Sequence, residues 1–130
     1  MPLYTNAEEL YRVMDRLFSQ LRQEKPGAVE AVAQSRLIIA LRFTDVEAVV
    51  WINGRKRPPE VSFGPTPARP DLDVSLTTAV LHEILLGKLY LSKAMVTKQV
   101  SVKGTTWKTL ALADLFYHCQ AIYPQIIAES

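Results

Sequence analysis

The chain has 130 residues, of which 48% are hydrophobic and 22% are charged, and its formal net charge is +2. This size and composition predict one folded domain over residues 1–130 and exclude a disordered chain. The apolar runs are far shorter than the roughly 18 to 20 residues of a transmembrane helix. The single cysteine excludes a cysteine zinc site, and the small positive charge does not favour nucleic acid as a partner. The first residues lack the pattern of a signal peptide, so we expect a cytoplasmic protein.

The first predicted element is an amphipathic helix over residues 7–24. Its apolar side chains recur at intervals of three and four residues, which places them on one face. Asn6 is the expected N-cap, and Glu9 completes a capping box. Pro26 should end this helix, and residues 28–34 predict one or two further helical turns.

Three predicted strands follow, at residues 37–43, 46–52 and 61–63, where large apolar residues alternate with others. An Asn-Gly pair at residues 53–54 is a strong hairpin-turn signal. The three segments therefore predict an antiparallel meander. Residues 64–70 contain three prolines and predict a fixed loop.

The second half of the chain mixes short helices with strands. Residues 72–76 alternate in polarity and predict a fourth strand. Thr77 or Thr78 can cap a short helix that ends near Leu86. Ser92 is the expected cap of one or two further turns.

The last predicted elements are a strand and a helix. Val100 and Val102 predict a fifth strand, and a helix that begins near Thr106 should end at Pro124, leaving residues 125–130 as a tail. Helices and strands are segregated along the chain. The predicted class is therefore α+β, a sheet with amphipathic helices stacked on its apolar face.

Candidate catalytic and metal-binding residues are few. His82 and His118 have no second histidine or carboxylate at metal-ligand spacing, and Cys119 points about 100° away from His118 around a helix. Asp71 and Asp73 share one face of a strand, without a surrounding motif. We therefore predict no catalytic residue, no metal site and no cofactor.

Arg55, Lys56 and Arg57 form a basic cluster at the tip of the predicted hairpin. Such a run is most often a solvated turn. The functional alternative is a transient contact with anionic lipid head groups, at about 1 kcal/mol per basic residue.

A specific order of motifs occupies the C-terminal half. A strand with an aspartate, residues 71–76, leads into a threonine-capped helix that ends Leu-Gly-Lys at residues 86–88. A valine-alternating strand, residues 99–104, and a leucine-rich helix, residues 110–116, follow. In this order and spacing the chain resembles the sterol carrier protein type 2 family of lipid-carrier domains, over nearly its whole length.

This resemblance implies a five-stranded, mostly antiparallel sheet, with helices packed on one face around an apolar cavity. It also implies a lipid ligand, such as a fatty acid, acyl-coenzyme A, a phospholipid or a sterol, held without covalent chemistry. The chain departs from the family at the glycine that often precedes the last strand, where Thr97 or Lys98 stands.

Residues predicted to line such a cavity are large and apolar and lie on the inward faces of their elements. For each of them, ordinary core packing is the alternative. Ile126 and Ile127 of the tail are candidates for a lid. The predicted lining residues are Phe18, Leu21, Trp51, Phe63, Leu85, Leu89, Met95, Leu112, Leu115, Phe116 and Ile122.

The sequence therefore predicts an intracellular carrier of a long-chain fatty acid, acyl-coenzyme A or sterol-like lipid, as a monomer or a homodimer. Two alternatives stay open. One is a non-catalytic interaction or regulatory domain of the same fold with a filled core. The other is a small enzyme acting on an apolar substrate, with His82 or Asp71 as the base.

Overall fold

The structure is a computed structural model that describes residues 4–104 and 106–128, without the side chains of residues 106 and 107. The described residues form five strands and six helices, in the α+β class expected from the sequence. The helices are α1 (Ala7–Glu24), α2 (Pro26–Ser35), α3 (Thr78–Leu85), α4 (Leu91–Val96), α5 (Thr106–Cys119) and α6 (Tyr123–Ala128). The strands are β1 (Ile38–Phe43), β2 (Ala48–Asn53), β3 (Glu60–Phe63), β4 (Leu72–Leu76) and β5 (Ser101–Lys103).

The five strands form one sheet in the order β3-β2-β1-β4-β5. β1, β2 and β3 make the predicted antiparallel meander. β4 then returns to the other side of β1 and pairs with it in parallel, with Leu72 opposite Ile39. β5 pairs antiparallel with β4. The sheet is therefore mixed, with three of its four pairings antiparallel.

The helices pack on one face of this sheet, as expected. One large cluster of buried apolar side chains joins all six helices to the inward residues of the strands. The opposite face carries a smaller cluster of three buried residues, Ala40, Val49 and Trp51. Alternate residues of β2 therefore belong to different clusters, because successive side chains of a strand point to opposite faces.

Local capping explains the N-terminal helices. The side chain of Asn6 accepts a hydrogen bond from the backbone N–H of Glu9 at 2.9 Å, which confirms the predicted cap of α1. Pro26 ends the first helix region as predicted and also begins α2, at a position where a helix does not need the missing N–H. α2 is consequently longer than the segment 28–34 predicted for it.

Gly54 follows β2 in the predicted turn and makes a close backbone contact. Its N–H donates to the carbonyl of Leu37 at 2.8 Å. A Cβ atom at this position would lie 2.5 Å from the carbonyl oxygen of Val32 and 2.8 Å from that of Leu37. The turn therefore requires glycine, because the end of α2 and the start of β1 pass directly over it.

Two sequence predictions about helix ends were wrong. Ser92 lies inside α4, and Tyr90 occupies the cap position. α5 ends at Cys119 rather than at Pro124, and Pro124 lies in the first turn of α6, where its missing N–H costs nothing. Residues 125–128 are consequently helical, and Ile126 is buried rather than part of a loose tail.

Candidate functional site

Most of the predicted lining residues lie together on the helix face of the sheet. Seven of them are at most 6% exposed and belong to the main apolar cluster, and three more are partly buried against it. Their side chains form the packed core between the sheet and the helices. The seven are Phe18, Leu21, Leu85, Leu112, Leu115, Phe116 and Ile122, and the three are Phe63, Leu89 and Met95.

Trp51 lies on the other face of the sheet, so it does not face the helices as predicted. Its indole N–H donates to the carbonyl of Gly64 at 3.0 Å, and the guanidinium carbon of Arg42 lies 5.6 Å from the centre of its ring. The alternation of side chains along β2 already indicates that Trp51 points to the other face. Trp51 alternates with Val50 and Ile52, which are both in the main cluster.

An open cleft lies where the start of α1 meets α3 and α6, and we call it the α6 cleft. Its volume is about 430 Å³ and its wall is mostly apolar. Val13 and Ile127 supply apolar surface that continues into the main cluster. The lining residues are Tyr4, Glu9, Arg12, Val13, Arg16, His82 and Ile127.

A chain of hydrogen bonds runs from the wall of the α6 cleft into the core. The hydroxyl oxygens of Tyr4 and Tyr123 lie 2.7 Å apart, and Nδ1 of His82 lies 2.8 Å from the hydroxyl oxygen of Tyr123. Tyr123 is fully buried. Burial raises the pKa of Tyr123 and of Tyr4 and lowers the pKa of His82. The three groups therefore favour their uncharged forms, which suits a polar site beside an apolar wall.

Charged residues of α1 border the same cleft. Arg12 and Arg16 are four residues apart, so their side chains lie on one side of the helix. Glu9 also lines the cleft and accepts a hydrogen bond from the hydroxyl of Thr5 at 2.7 Å. Two guanidinium groups and one carboxylate therefore stand along this border of the cleft.

A second open cleft lies between α4, β5 and α5, and we call it the α4–α5 cleft. Its volume is about 270 Å³. Met95 is the predicted lining residue that borders it. The lining residues are Ser92, Met95, Val102, Gly104, Thr109, Leu110 and Ala113.

The candidate bases of the sequence have structural partners. His82 is bound to Tyr123, and the carboxylate of Asp71 accepts from Arg55 at 2.9 and 3.0 Å and from the backbone N–H of Ile38 at 2.9 Å. Cys119 is buried, and burial raises the pKa of its thiol to about 12. The described residues contain no group of three potential metal-ligating side chains.

The basic cluster of the hairpin is also paired. Arg55 contacts Asp71 at 2.9 Å, Lys56 contacts Glu60 at 3.0 Å, and Arg57 contacts Glu30 at 2.6 Å. Nearby carboxylates therefore neutralise much of the charge that the sequence places at this turn.

Four residues of the α6 cleft region were missed by the sequence reasoning. Tyr4 and Tyr123 are 119 positions apart, and no local pattern signals that they meet. Arg12 and Arg16 did carry a signal, since their spacing places them together beside the apolar stripe that includes Val13.

The part of the chain that the structure describes contains no helix long and apolar enough to cross a membrane. A family model described as the SCP-2 sterol transfer family matches residues 15–117. No curated protein sequence matches the chain at a significant level.

Several solved structures resemble this fold. The solution structure of sterol carrier protein domain 2 of Helicoverpa armigera has a TM-score of 0.68 and 18% identity, covering 86% of this chain and 88% of that chain. The apo form of sterol carrier protein 2 from Yarrowia lipolytica has a TM-score of 0.63 and 18% identity, covering 88% and 91%. The solution structure of palmitated SCP2L2 from Aedes aegypti has a TM-score of 0.59 and 15% identity, covering 82% and 92%.

Proposed function

Because the chain belongs to the SCP-2 sterol transfer family, a family of lipid-binding and lipid-transfer domains, we propose that it is a cytoplasmic carrier of a single-chain anionic lipid. A long-chain fatty acid is the simplest ligand of this class. The carrier holds the lipid non-covalently, presents it to membranes or enzymes, and performs no reaction on it.

The α6 cleft is the observation that carries this proposal. Its volume of about 430 Å³ lies within the range of roughly 300 to 1,000 Å³ that is typical of ligand sites. Val13 and Ile127 offer an apolar wall for an acyl chain, while Arg12 offers positive charge for a carboxylate. Apolar and cationic surfaces side by side match the two ends of a fatty acid. The structural relative from Aedes aegypti, described as palmitated, supports the same class of ligand.

Binding of this kind requires no strong polar anchor. Burial of a methylene group contributes about 0.8 kcal/mol, so a chain of about 16 carbons contributes roughly 12 kcal/mol before the entropic costs of association. A dissociation constant in the micromolar range follows, since it corresponds to about 8 kcal/mol. Complete burial of such a chain requires α6 to move, because Ile126 is buried in the core and Ile127 packs against it.

The roles of the candidate bases support a carrier rather than an enzyme. His82 and Asp71 each stabilise a neighbouring element, His82 through Tyr123 of α6 and Asp71 through the start of β1. The hydrogen-bond partner of His82 is a buried tyrosine hydroxyl, and the partners of Asp71 are a guanidinium and a backbone N–H.

Seven of the residues predicted to line a cavity are closely packed in the core. This packing favours a second candidate function. A domain whose core is filled acts through its surface, as an interaction or regulatory module. This candidate predicts self-association or binding to a partner, measurable by light scattering, without uptake of lipid.

The proposal is tested by lipid content and by displacement. Native mass spectrometry of protein purified from cells should show a bound fatty acid, and unlabelled palmitate should displace a fluorescent fatty acid. Ile127→Glu should weaken binding at least tenfold, because it places a negative charge against the lipid. Leu110→Glu makes the same change in the α4–α5 cleft and should leave the affinity within about twofold.

Three results would contradict the proposal. Protein without lipid that binds no fluorescent fatty acid contradicts the carrier itself. Equal effects of the two variants place the lipid outside the α6 cleft. Loss of affinity in Leu110→Glu alone places it in the α4–α5 cleft.

A further inference from the structure

The positive charge of the chain is distributed very unevenly. Residues 84–113 contain five lysines and no aspartate or glutamate, while the rest of the chain has ten basic and 13 acidic residues. The small net charge of +2 is therefore the sum of a strongly cationic segment and a remainder of the chain that is slightly acidic. The five lysines recur at every fifth position: Lys88, Lys93, Lys98, Lys103 and Lys108.

This segment forms one edge of the molecule, from the end of α3 through α4 and β5 into α5. Lys88, Lys93, Lys98 and Lys103 are exposed. None of these four forms an ion pair within the part of the chain that the structure describes. They differ in this from the hairpin cluster at residues 55–57, whose three side chains are all paired.

Large apolar side chains are exposed along the same edge. Val96 is 82% exposed, Tyr90 is 78% exposed and Leu110 is 66% exposed. Leu110 lines the α4–α5 cleft, and Val96 follows Met95, which also lines it. An apolar rim surrounded by lysines is typical of surfaces that insert shallowly into a bilayer with anionic lipids.

Lys98 lies just past the end of α4, and its φ angle of 63° is in the left-handed region. Its N–H donates to the carbonyl of Met95 at 3.1 Å, and the N–H of Gln99 donates to that of Ala94 at 2.8 Å. This helix cap accounts for the conformation and leaves the lysine side chain exposed on the edge.

We propose that the edge made by residues 88–104 and Leu110 docks on an anionic lipid bilayer, with Val96 and Leu110 entering the interfacial layer. Lys88, Lys93, Lys98 and Lys103 contact the head groups. The inference rests on the proposed function in one respect, since a lipid carrier must meet the membranes that supply or receive its lipid. We call this edge the lysine edge. It replaces the hairpin cluster as the membrane-facing surface, because the hairpin cations already have carboxylate partners.

The chemistry favours a bilayer over the other occupants of such a surface. A second copy of this chain would bring the four exposed lysines of one copy against those of the other, and like charges repel. Lysine is depleted in the centres of protein–protein interfaces, whereas lysines beside apolar side chains are favoured at membrane surfaces.

Vesicle binding tests the proposal directly. Co-sedimentation with vesicles of phosphatidylcholine alone, and of phosphatidylcholine with 30% phosphatidylglycerol, should show strong binding only to the anionic vesicles. The triple variant K88Q/K93Q/K98Q should bind them about 100-fold more weakly, because each lysine near an anionic surface strengthens binding about fivefold. The matched control R22Q/K25Q/R69Q removes three exposed charges elsewhere and should bind within about threefold of wild type.

An apolar pair of variants tests insertion separately from charge. V96S/L110S should weaken binding to anionic vesicles at least fivefold. Tyr117→Ser alters a side chain that is 68% exposed beyond the lysine edge and should have little effect. Salt should weaken the binding of wild type more than that of the lysine variant, because screening acts on the exposed charges.

Fluorescent fatty-acid binding without vesicles separates this inference from the proposed function. Wild type that binds fatty acid but binds both vesicle types equally would overturn the lysine edge and leave the carrier intact. Equal losses in the lysine variant and its matched control would also overturn it, as would variants that change only self-association or capture of an acidic protein. Retained fatty-acid affinity in K88Q/K93Q/K98Q, together with lost vesicle binding, is the expected result.

Discussion

Tyr4 and Tyr123 share a buried hydrogen bond of 2.7 Å between their hydroxyl oxygens, although 119 positions separate them in the chain. The bond ties the segment before α1 to the first residue of α6. His82 of α3 joins the same oxygen of Tyr123. One hydroxyl therefore connects three elements around the α6 cleft.

Tyr123→Phe should destabilise the fold by about 1 to 3 kcal/mol, because it leaves the buried Tyr4 hydroxyl and Nδ1 of His82 without their partner. Urea denaturation measures the free energy of unfolding. Tyr117→Phe removes a hydroxyl from an exposed side chain and should change it by less than about 0.5 kcal/mol. Equal stability of the two variants would contradict a structural role for the buried chain.

Gly54→Ala should reduce the free energy of unfolding by about 2 kcal/mol or more, since the added Cβ meets backbone oxygens that cannot turn away. Gly27→Ala is the matched control. Its Cβ would have no atom within 4 Å, and alanine favours the helix by about 0.5 to 1 kcal/mol. Thermal unfolding of the two variants should therefore shift in opposite directions. A tolerated Gly54→Ala would show that the turn can move away from α2.

Trp51→Phe should leave fatty-acid affinity within about twofold of wild type, because Trp51 lies on the face of the sheet away from the helices. It should still cost about 1 to 2 kcal/mol of stability through loss of the hydrogen bond to Gly64. Val13→Ala in the α6 cleft should instead weaken affinity in the same displacement assay. A large loss of affinity in Trp51→Phe would show that the ligand reaches the outer face.

Cys119 makes stability depend on alkaline pH. Its pKa is raised from 9.0 to about 12 in the folded protein, so the unfolded chain releases the thiol proton first as pH rises. The contribution of this group is complete below pH 9 and declines between pH 9 and about 12. At pH 10.5 the loss is about 2 kcal/mol. Urea denaturation at pH 8 and 10.5 should show a loss smaller by about this amount in Cys119→Ala, and an equal loss in both proteins would contradict the burial argument.

Lys98→Gly should raise stability by up to about 1 kcal/mol, because glycine relieves the left-handed backbone. The same change should weaken binding to anionic vesicles about fivefold, through the loss of one lysine. Opposite effects on the two measurements would identify a position where function opposes stability. A decrease in stability would show that the lysine side chain supports the fold.

The sequence predicted those parts of the fold that depend on local patterns. The cap at Asn6, the amphipathic α1 and the meander around residues 53–54 follow from periodicity and turn chemistry, and all are confirmed. The prediction that the last helix ends at Pro124 was wrong because proline is compatible with two situations, the end of one helix and the first turn of another. The sequence alone does not distinguish them.

The candidate site was less predictable, for physical reasons. The periodicity of apolar residues predicts which side chains point inward. Whether an inward side chain fills the core or lines a cavity depends on the packing of the whole domain. Ten of the eleven predicted lining residues do lie in or against the main cluster, whereas the α6 cleft is built from ends of elements that are distant in sequence. The ion pairs of Arg55 and Arg57 also reach across 16 and 27 positions, beyond any local pattern.

The parallel pairing of β1 with β4 has a consequence for how the chain folds. The hairpins β1–β2 and β2–β3 join neighbours in sequence, but Ile39 meets Leu72 only after 33 positions, and this is the single strand pairing between the meander and the second half of the described chain. Closing so long a segment has an entropic cost that only the combined apolar face offsets. Neither half has a complete core before this contact forms. Assembly is therefore expected to be cooperative, with the β1–β4 contact made late and both halves becoming stable together.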